Sequence, residues 1–185
     1  CSGFLYAMKL AERMISGGTC KNALILGAEK LSAFVNWDDR STCVLFGDGA
    51  GAAVLKEAEP GGGQILATDT GTDGSQTDLL NIPGGGSACP ITLENADQRL
   101  STLAMVGTDV FKQAVTRMRD SANSVIERSG LRPEDIKLLI PHQANLRIIE
   151  AVTKRIEIPE DRVFVNLHKY GNTSAAACAI ALDES

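Results

Sequence analysis

Apolar residues along the chain fall into blocks with two kinds of spacing. From residue 2 to residue 17, Phe4, Leu5, Met8, Leu10, Ala11, Met14 and Ile15 recur every three or four positions, which predicts one helix ended by Gly17-Gly18. Asn22–Ala28 is a short continuous apolar run bounded by turn residues. That is the pattern of a buried strand, and its place after a helix suits a parallel sheet. Cys43–Phe46, Ala52–Leu55 and Gln64–Thr70 predict further strands, an antiparallel insert near 43–70. A second helical series runs from Leu100 to Ile126 and stops at Ser129-Gly130. Lys137–Pro141 predicts a strand, residues 145–156 a helix with Leu146, Ile149, Val152 and Ile156 inward, Arg162–Val165 a strand, and residues 173–184 a helix of small residues. The order is that of an α/β protein.

Residues 71–98 break this rhythm, with Pro83-Gly-Gly-Gly86 at their centre and Cys89-Pro90 beyond. A loop of that length inside a compact domain is usually functional or mobile. Gly47-Asp-Gly-Ala-Gly51 invites a phosphate-loop reading, but its spacing fits neither dinucleotide nor Walker patterns, and a turn allowing close approach of strands is the better account.

Composition narrows the class. With 185 residues and 44% of them hydrophobic, the chain can bury a core. A formal charge of −5 argues against general nucleic-acid binding. No apolar run is long enough to span a bilayer. Five cysteines, at 1, 20, 43, 89 and 178, include no C-x-x-C pair, which suits neither a disulfide framework nor a zinc site and points to a reducing cytoplasm. No metal is expected.

Three turns carry candidate chemistry. His142, one of only two histidines, stands where the 137–141 strand stops and is followed by Gln143 and Asn145. That is the mouth of an α/β sheet, where a histidine can take or donate a proton, although a packed strand-end histidine reads the same way. Cys1 opens the first helix, where free N–H groups and the dipole favour a thiolate. A merely terminal or buried cysteine is the plainer reading. Asn172 opens the last helix and can donate to an oxyanion, or simply cap the helix. The Cys1 and Asn172 turns look alike, as two related halves facing one site would. His168 reads as a loop residue and Trp37 as packing or rim.

Taken together, Cys1-Ser-Gly-Phe4, Phe46-Gly-Asp-Gly-Ala-Gly-Ala52, Pro141-His-Gln-Ala-Asn-Leu-Arg147 and Tyr170-Gly-Asn-Thr-Ser-Ala-Ala176 closely resemble the β-ketoacyl-acyl-carrier-protein synthase III branch of the thiolase superfamily. The resemblance implies a layered αβαβα thiolase-like fold, here incomplete. Residues 1–70 would end its first half, 71–98 connect, and 99–185 form most of its second half. It further implies catalysis by Cys1, His142 and Asn172, which would join an acyl-CoA starter to malonyl-acyl-carrier protein by decarboxylative condensation. Acyl-CoA and the carrier protein would be substrates, with no cofactor, in a cytoplasmic homodimer of fatty-acid synthesis.

The resemblance also places coenzyme A at Arg40, Gly107, Phe111, Ala144, Asn145 and Ile148. Thr108 stands where some relatives have Asn. The carrier protein would dock on Gln143, Ala144, Asn145, Leu146 and Arg147, with Lys154 and Arg155 on the same helix face. Phe46, Pro83 and Gly84 would wall the acyl pocket. The chain opens on its candidate nucleophile and closes in an uncapped helical run, so the expectation is a piece of a longer protein, inactive until completed. Two alternatives remain: a non-catalytic truncated fragment, and an N-terminal-nucleophile hydrolase in which the α-amino group of Cys1 serves as base.

Overall fold

Side chains alternate across a strand, so a hairpin with one glycine- and alanine-lined face can take a helix at unusually short range. The computed structural model describes residues 1–185, the side chain of residue 97 excepted. In chain order the principal elements are α1 (Gly3–Ser16), β1 (Asn22–Lys30), β2 (Asp48–Lys56), β3 (Leu80–Asn81), β4 (Ala104–Met105), α2 (Gly107–Arg128), α3 (Leu146–Ile156), α4 (Leu167–Tyr170) and α5 (Ala176–Glu184).

The hairpin pairs β1 with β2 antiparallel, Asn22 opposite Lys56 and Lys30 opposite Asp48. Its inner face packs on α1 and α5. A Cβ added at Gly27 would lie 2.7 Å from the Ala175 carbonyl oxygen, and one at Gly51 would lie 2.7 Å from Ala179 Cβ. Phe4, Ala11, Ile25 and Ala179 are buried in the core this packing makes. The other face carries Leu24, Leu26 and Val54, each more than 60% exposed.

A second core joins α2 to α3. Val115 meets Ile148, Val152, Ile156 and Ile158, with Phe111, Met118 and Leu139 packed around them. The 3–4 spacing read from the sequence is the cause, since it aligns one apolar stripe on each helix.

Several expectations need correction. The strand at 22–28 is real, but its partner is antiparallel. Residues 43–46 are not a strand. Asp39 accepts hydrogen bonds from the Ser41 amide and from the Ser41 and Thr42 hydroxyls, and these local bonds wind the segment into turns. Residues 64–70 form no ladder. Lys9 Nζ instead donates to Thr70 Oγ1 at 2.8 Å and Arg128 to the Thr68 carbonyl at 2.9 Å, tying the segment to α1 and α2 by side chains. The strands expected at 137–141 and 162–165 reduce to one parallel bridge, Leu139 with Val163, because Pro141 offers no N–H to extend it. The long helix begins at Gly107 and the last at Ala176, both later than their apolar series.

The glycine contacts generate a test. Gly51→Ala should cost about 2 kcal/mol of stability through overpacking. Gly63→Ala, where an added Cβ meets nothing within 4 Å, should be near neutral. Urea unfolding of the two variants checks both.

Candidate active site

Two helix N-termini meet beside a cleft of about 1260 Å³. A Cβ on Gly3, in the first turn of α1, would be 3.4 Å from Ala175 Cβ, the residue before α5. Cys1 precedes the one helix and Asn172 the other, and both line the cleft together with His142 and Phe46. The two turns that looked alike in sequence therefore face one space. Cys1 is exposed, and the first turn of α1 has neither a side-chain cap nor an acidic residue. The positive end of the helix is left unneutralised there.

Backbone bonds fix Asn172. Its N–H donates to the Leu45 carbonyl at 2.8 Å, and its carbonyl accepts from Gly47 N–H at 2.9 Å. A side chain at Gly47 would collide with the Tyr170 carbonyl oxygen, 2.0 Å from the built Cβ, so this strand end must be glycine. Gly171 takes φ +68, a conformation glycine adopts without strain, and turns the chain into Asn172. The Asn172 side chain is 8% exposed. Its Oδ1 accepts from Ser174 N–H at 2.9 Å, which leaves the Nδ2 hydrogens as the group offered outward.

His142 follows the Leu139–Val163 bridge. Ala144 N–H donates back to its carbonyl at 2.9 Å and closes the turn. Both ring nitrogens are buried without a hydrogen-bond partner among the described residues. Burial first, and the positive charge of the Cys1 α-amino group second, lower the imidazole pKa from 6.5 to about 4, so the ring is neutral at pH 7. A neutral imidazole carries one N–H donor, and a buried donor with no partner marks a place where a ligand oxygen can sit.

Of the residues expected to hold coenzyme A, Gly107, Phe111, Ala144, Asn145 and Ile148 line the cleft, whereas Arg40 is exposed outside it. Asn145 also caps α3, its Oδ1 accepting from Ile148 N–H at 3.1 Å. Arg147, Lys154 and Arg155 are exposed on α3, and Leu146 is half exposed. Two calls fail. Gln143 is 1% exposed and turned inward, so its side chain presents nothing to a docking protein. Pro83 and Gly84 lie outside the cleft lining. Gly84 is held by a 2.7 Å hydrogen bond to the Leu100 carbonyl and packs against Leu100 and Ile91.

Sequence reading missed Met8, Met105, Lys112, Arg117 and Cys178, all of which line the cleft. The signal was present in α2. Its apolar stripe serves as core at Val115 and as cleft wall at Val110, Ala114 and Ala122, and periodicity does not separate the two uses.

This α/β fold, with a cysteine, a histidine and an asparagine converging from three turns, defines the thiolase-like class. The family model "3-Oxoacyl-[acyl-carrier-protein (ACP)] synthase III" matches residues 1–74, and its C-terminal counterpart matches residues 126–185. The chain is 52% identical over 185 residues to the β-ketoacyl-[acyl-carrier-protein] synthase III of Caldanaerobacter subterraneus, and 48% identical to that of Clostridioides difficile. Each match takes in all of this chain and 56% of the relative. The crystal structure of the Aquifex aeolicus synthase III superposes with a TM-score of 0.88 at 47% identity, over 100% of this chain and 55% of that one. The chain belongs to the 3-oxoacyl-[acyl-carrier-protein] synthase III family, and it spans about half the length of the curated relatives it matches.

The buried histidine makes stability depend on pH. Between about pH 6.5 and 4 the unfolded chain binds a proton at His142 that the folded chain does not. Stability is therefore full above 6.5 and declines as pH falls towards 4. The span corresponds to about 3 kcal/mol. Urea unfolding at about pH 7 and 4.5 should show a smaller loss for His142→Gln than for the unsubstituted chain.

Proposed function

We propose that this chain supplies the condensing site of an initiating ketoacyl synthase, which joins an acyl-CoA starter such as acetyl-CoA to malonyl-acyl-carrier protein. The observation that carries the reading is that neutral His142, its ring nitrogens buried with no partner among the described residues, and Asn172, its amide oxygen already bonded, line the same cleft as Cys1.

The first stage is acyl transfer. The Cys1 thiolate attacks the acyl-CoA thioester carbonyl. The carbon–sulfur bond to coenzyme A breaks, and the released thiolate takes up the proton that Cys1 gave up. The unneutralised start of α1 favours the thiolate before attack and the negative charge during it.

In the second stage the malonyl thioester carbonyl lies between His142 and Asn172. The bond to the carboxylate breaks, carbon dioxide leaves, and the electron pair passes into an enolate whose oxygen the two donors stabilise. The enolate carbon then attacks the acyl-Cys1 carbonyl and expels the Cys1 thiolate, giving the 3-oxoacyl-carrier protein. A histidine with a pKa near 4 is a weak base but a competent neutral donor, and an amide is always one. The step needs charge stabilisation at one oxygen, which both groups supply without being ionised.

Coenzyme A would lie along Gly107, Phe111, Ala144, Asn145 and Ile148, with Arg40 at its outer end. The exposed cations Arg147, Lys154 and Arg155 suit an acidic carrier protein. Phe46 would wall the acyl group. Fatty-acid initiation in the cytoplasm, by a homodimer, completes the reading.

Intact mass spectrometry tests the first stage, using the protein at its natural length mixed with acetyl-CoA. One acetyl group should appear on the unsubstituted protein and none on Cys1→Ala. An adduct that survives in Cys1→Ala, or none with any of several acyl-CoAs, would overturn the assignment.

A further inference from the structure

Gln143 is the most completely bonded side chain beside the site, and the reaction as derived gives it no task. It is 1% exposed. Its Nε2 donates to the Pro141 carbonyl at 2.9 Å and to the Phe164 carbonyl at 3.3 Å. Its Oε1 accepts from the backbone N–H groups of Asn166 at 3.0 Å and Leu167 at 3.1 Å. The full capacity of one amide is spent on main-chain groups of two separate segments.

These segments carry the two donors. Pro141 is the residue before His142. Asn166 and Leu167 start α4, which runs through Tyr170 to Gly171 and Asn172. A second tie continues the same line. The Asn166 Nδ2 donates to Glu184 at 3.0 Å, and Glu184 also accepts from Lys169 at 3.1 Å and from the Tyr170 hydroxyl. The far end of α5 thus grips α4, while the near end of α5 follows the Asn172 turn.

We infer that Gln143 is a positioning residue for the condensation step. It sets the separation of the His142 and Asn172 donors by bonding both their segments to one rigid amide, and the Asn166–Glu184–Tyr170 contacts hold the second segment in place. This rests on the condensing reading above. The physical demand is plain, since two donors must converge on one enolate oxygen and a displacement of about 1 Å at such a site costs about 100-fold in rate. Cys1 lies before α1, and Gln143 bonds no residue of that helix. Acyl transfer to Cys1 therefore feels the clamp only through the proposed coenzyme A contacts at Ala144 and Asn145, which saturating acyl-CoA offsets.

The test separates the two stages in the protein at its natural length. Gln143→Met keeps the length of the side chain and removes all its hydrogen bonds. Tyr170→Phe removes a single hydroxyl from a partly exposed ring, so its folding is secure. Gln143→Met should lower condensation from pre-acylated enzyme by about 100-fold, and Tyr170→Phe by about 10-fold. At saturating acyl-CoA both should acylate Cys1 within about threefold of the unsubstituted rate. A merely structural role would lower both stages by one factor, following the folded fraction. That result, or unchanged condensation, would overturn the inference. If the unsubstituted protein never acylates Cys1, the condensing reading fails first, and NMR titration of the His142 ring then decides the clamp. Its pKa should rise from about 4 in Gln143→Met as the turn loosens and admits water, and an unmoved titration would refute the clamp.

Discussion

Everything at the site hangs on how closely α5 lies against the β1–β2 hairpin. Glycines at 27, 49 and 51 remove the side chains that would hold the helix off, and alanines at 175, 176 and 179 do the same from its side. The hairpin can then carry the 45–47 segment to where Leu45 and Gly47 bracket the Asn172 backbone. A larger residue at any of these contacts would lift the start of α5 and with it the amide that faces the cleft. The constraint is steric, and its consequence is electrostatic.

The same packing decides the chemistry that is available. With the helix ends of α1 and α5 touching, the proposed nucleophile Cys1 and the proposed donor Asn172 line one cleft without either being part of a regular element. His142 arrives from the other core, on a turn closed by the Ala144 N–H. Its nitrogens are buried with no partner among the described residues, its pKa falls with that burial, and on the proposed reading it would meet a substrate as a neutral donor. Polar groups left unbonded by the fold carry the proposed chemistry, while Gln143, fully bonded, holds them apart.

Sequence disclosed the three turns clearly, because each places a polar residue where an apolar run stops. It disclosed the helices well too, since α1, α2 and α3 each keep an unbroken 3–4 series. Strands were harder. Residues 43–46 are apolar enough to read as a strand, yet the Asp39 side chain bonds Ser41 and Thr42, and the Cys43 and Leu45 N–H groups turn back to the Asp39 and Thr42 carbonyls. Direction of pairing was not legible, as an apolar run such as Asn22–Ala28 has the same appearance in parallel and antiparallel sheets, and the run did not show that one of its faces, with Leu24 and Leu26, is exposed. Gln143 shows a different limit. In a polar string beside Asn145 and Arg147 it reads as surface, and only the neighbouring 164–167 segment, distant in sequence, reveals that it is core.

The claim that neutral donors stabilise the enolate is the centre of the account, and the pH dependence of malonyl-carrier-protein decarboxylation tests it most directly. Release of carbon dioxide should be nearly level between about pH 5.5 and 8, because His142 stays neutral and Asn172 never titrates across that range. A rate that climbs as pH falls through about 6.5 would mean that imidazolium, not imidazole, holds the carbonyl, and would contradict it.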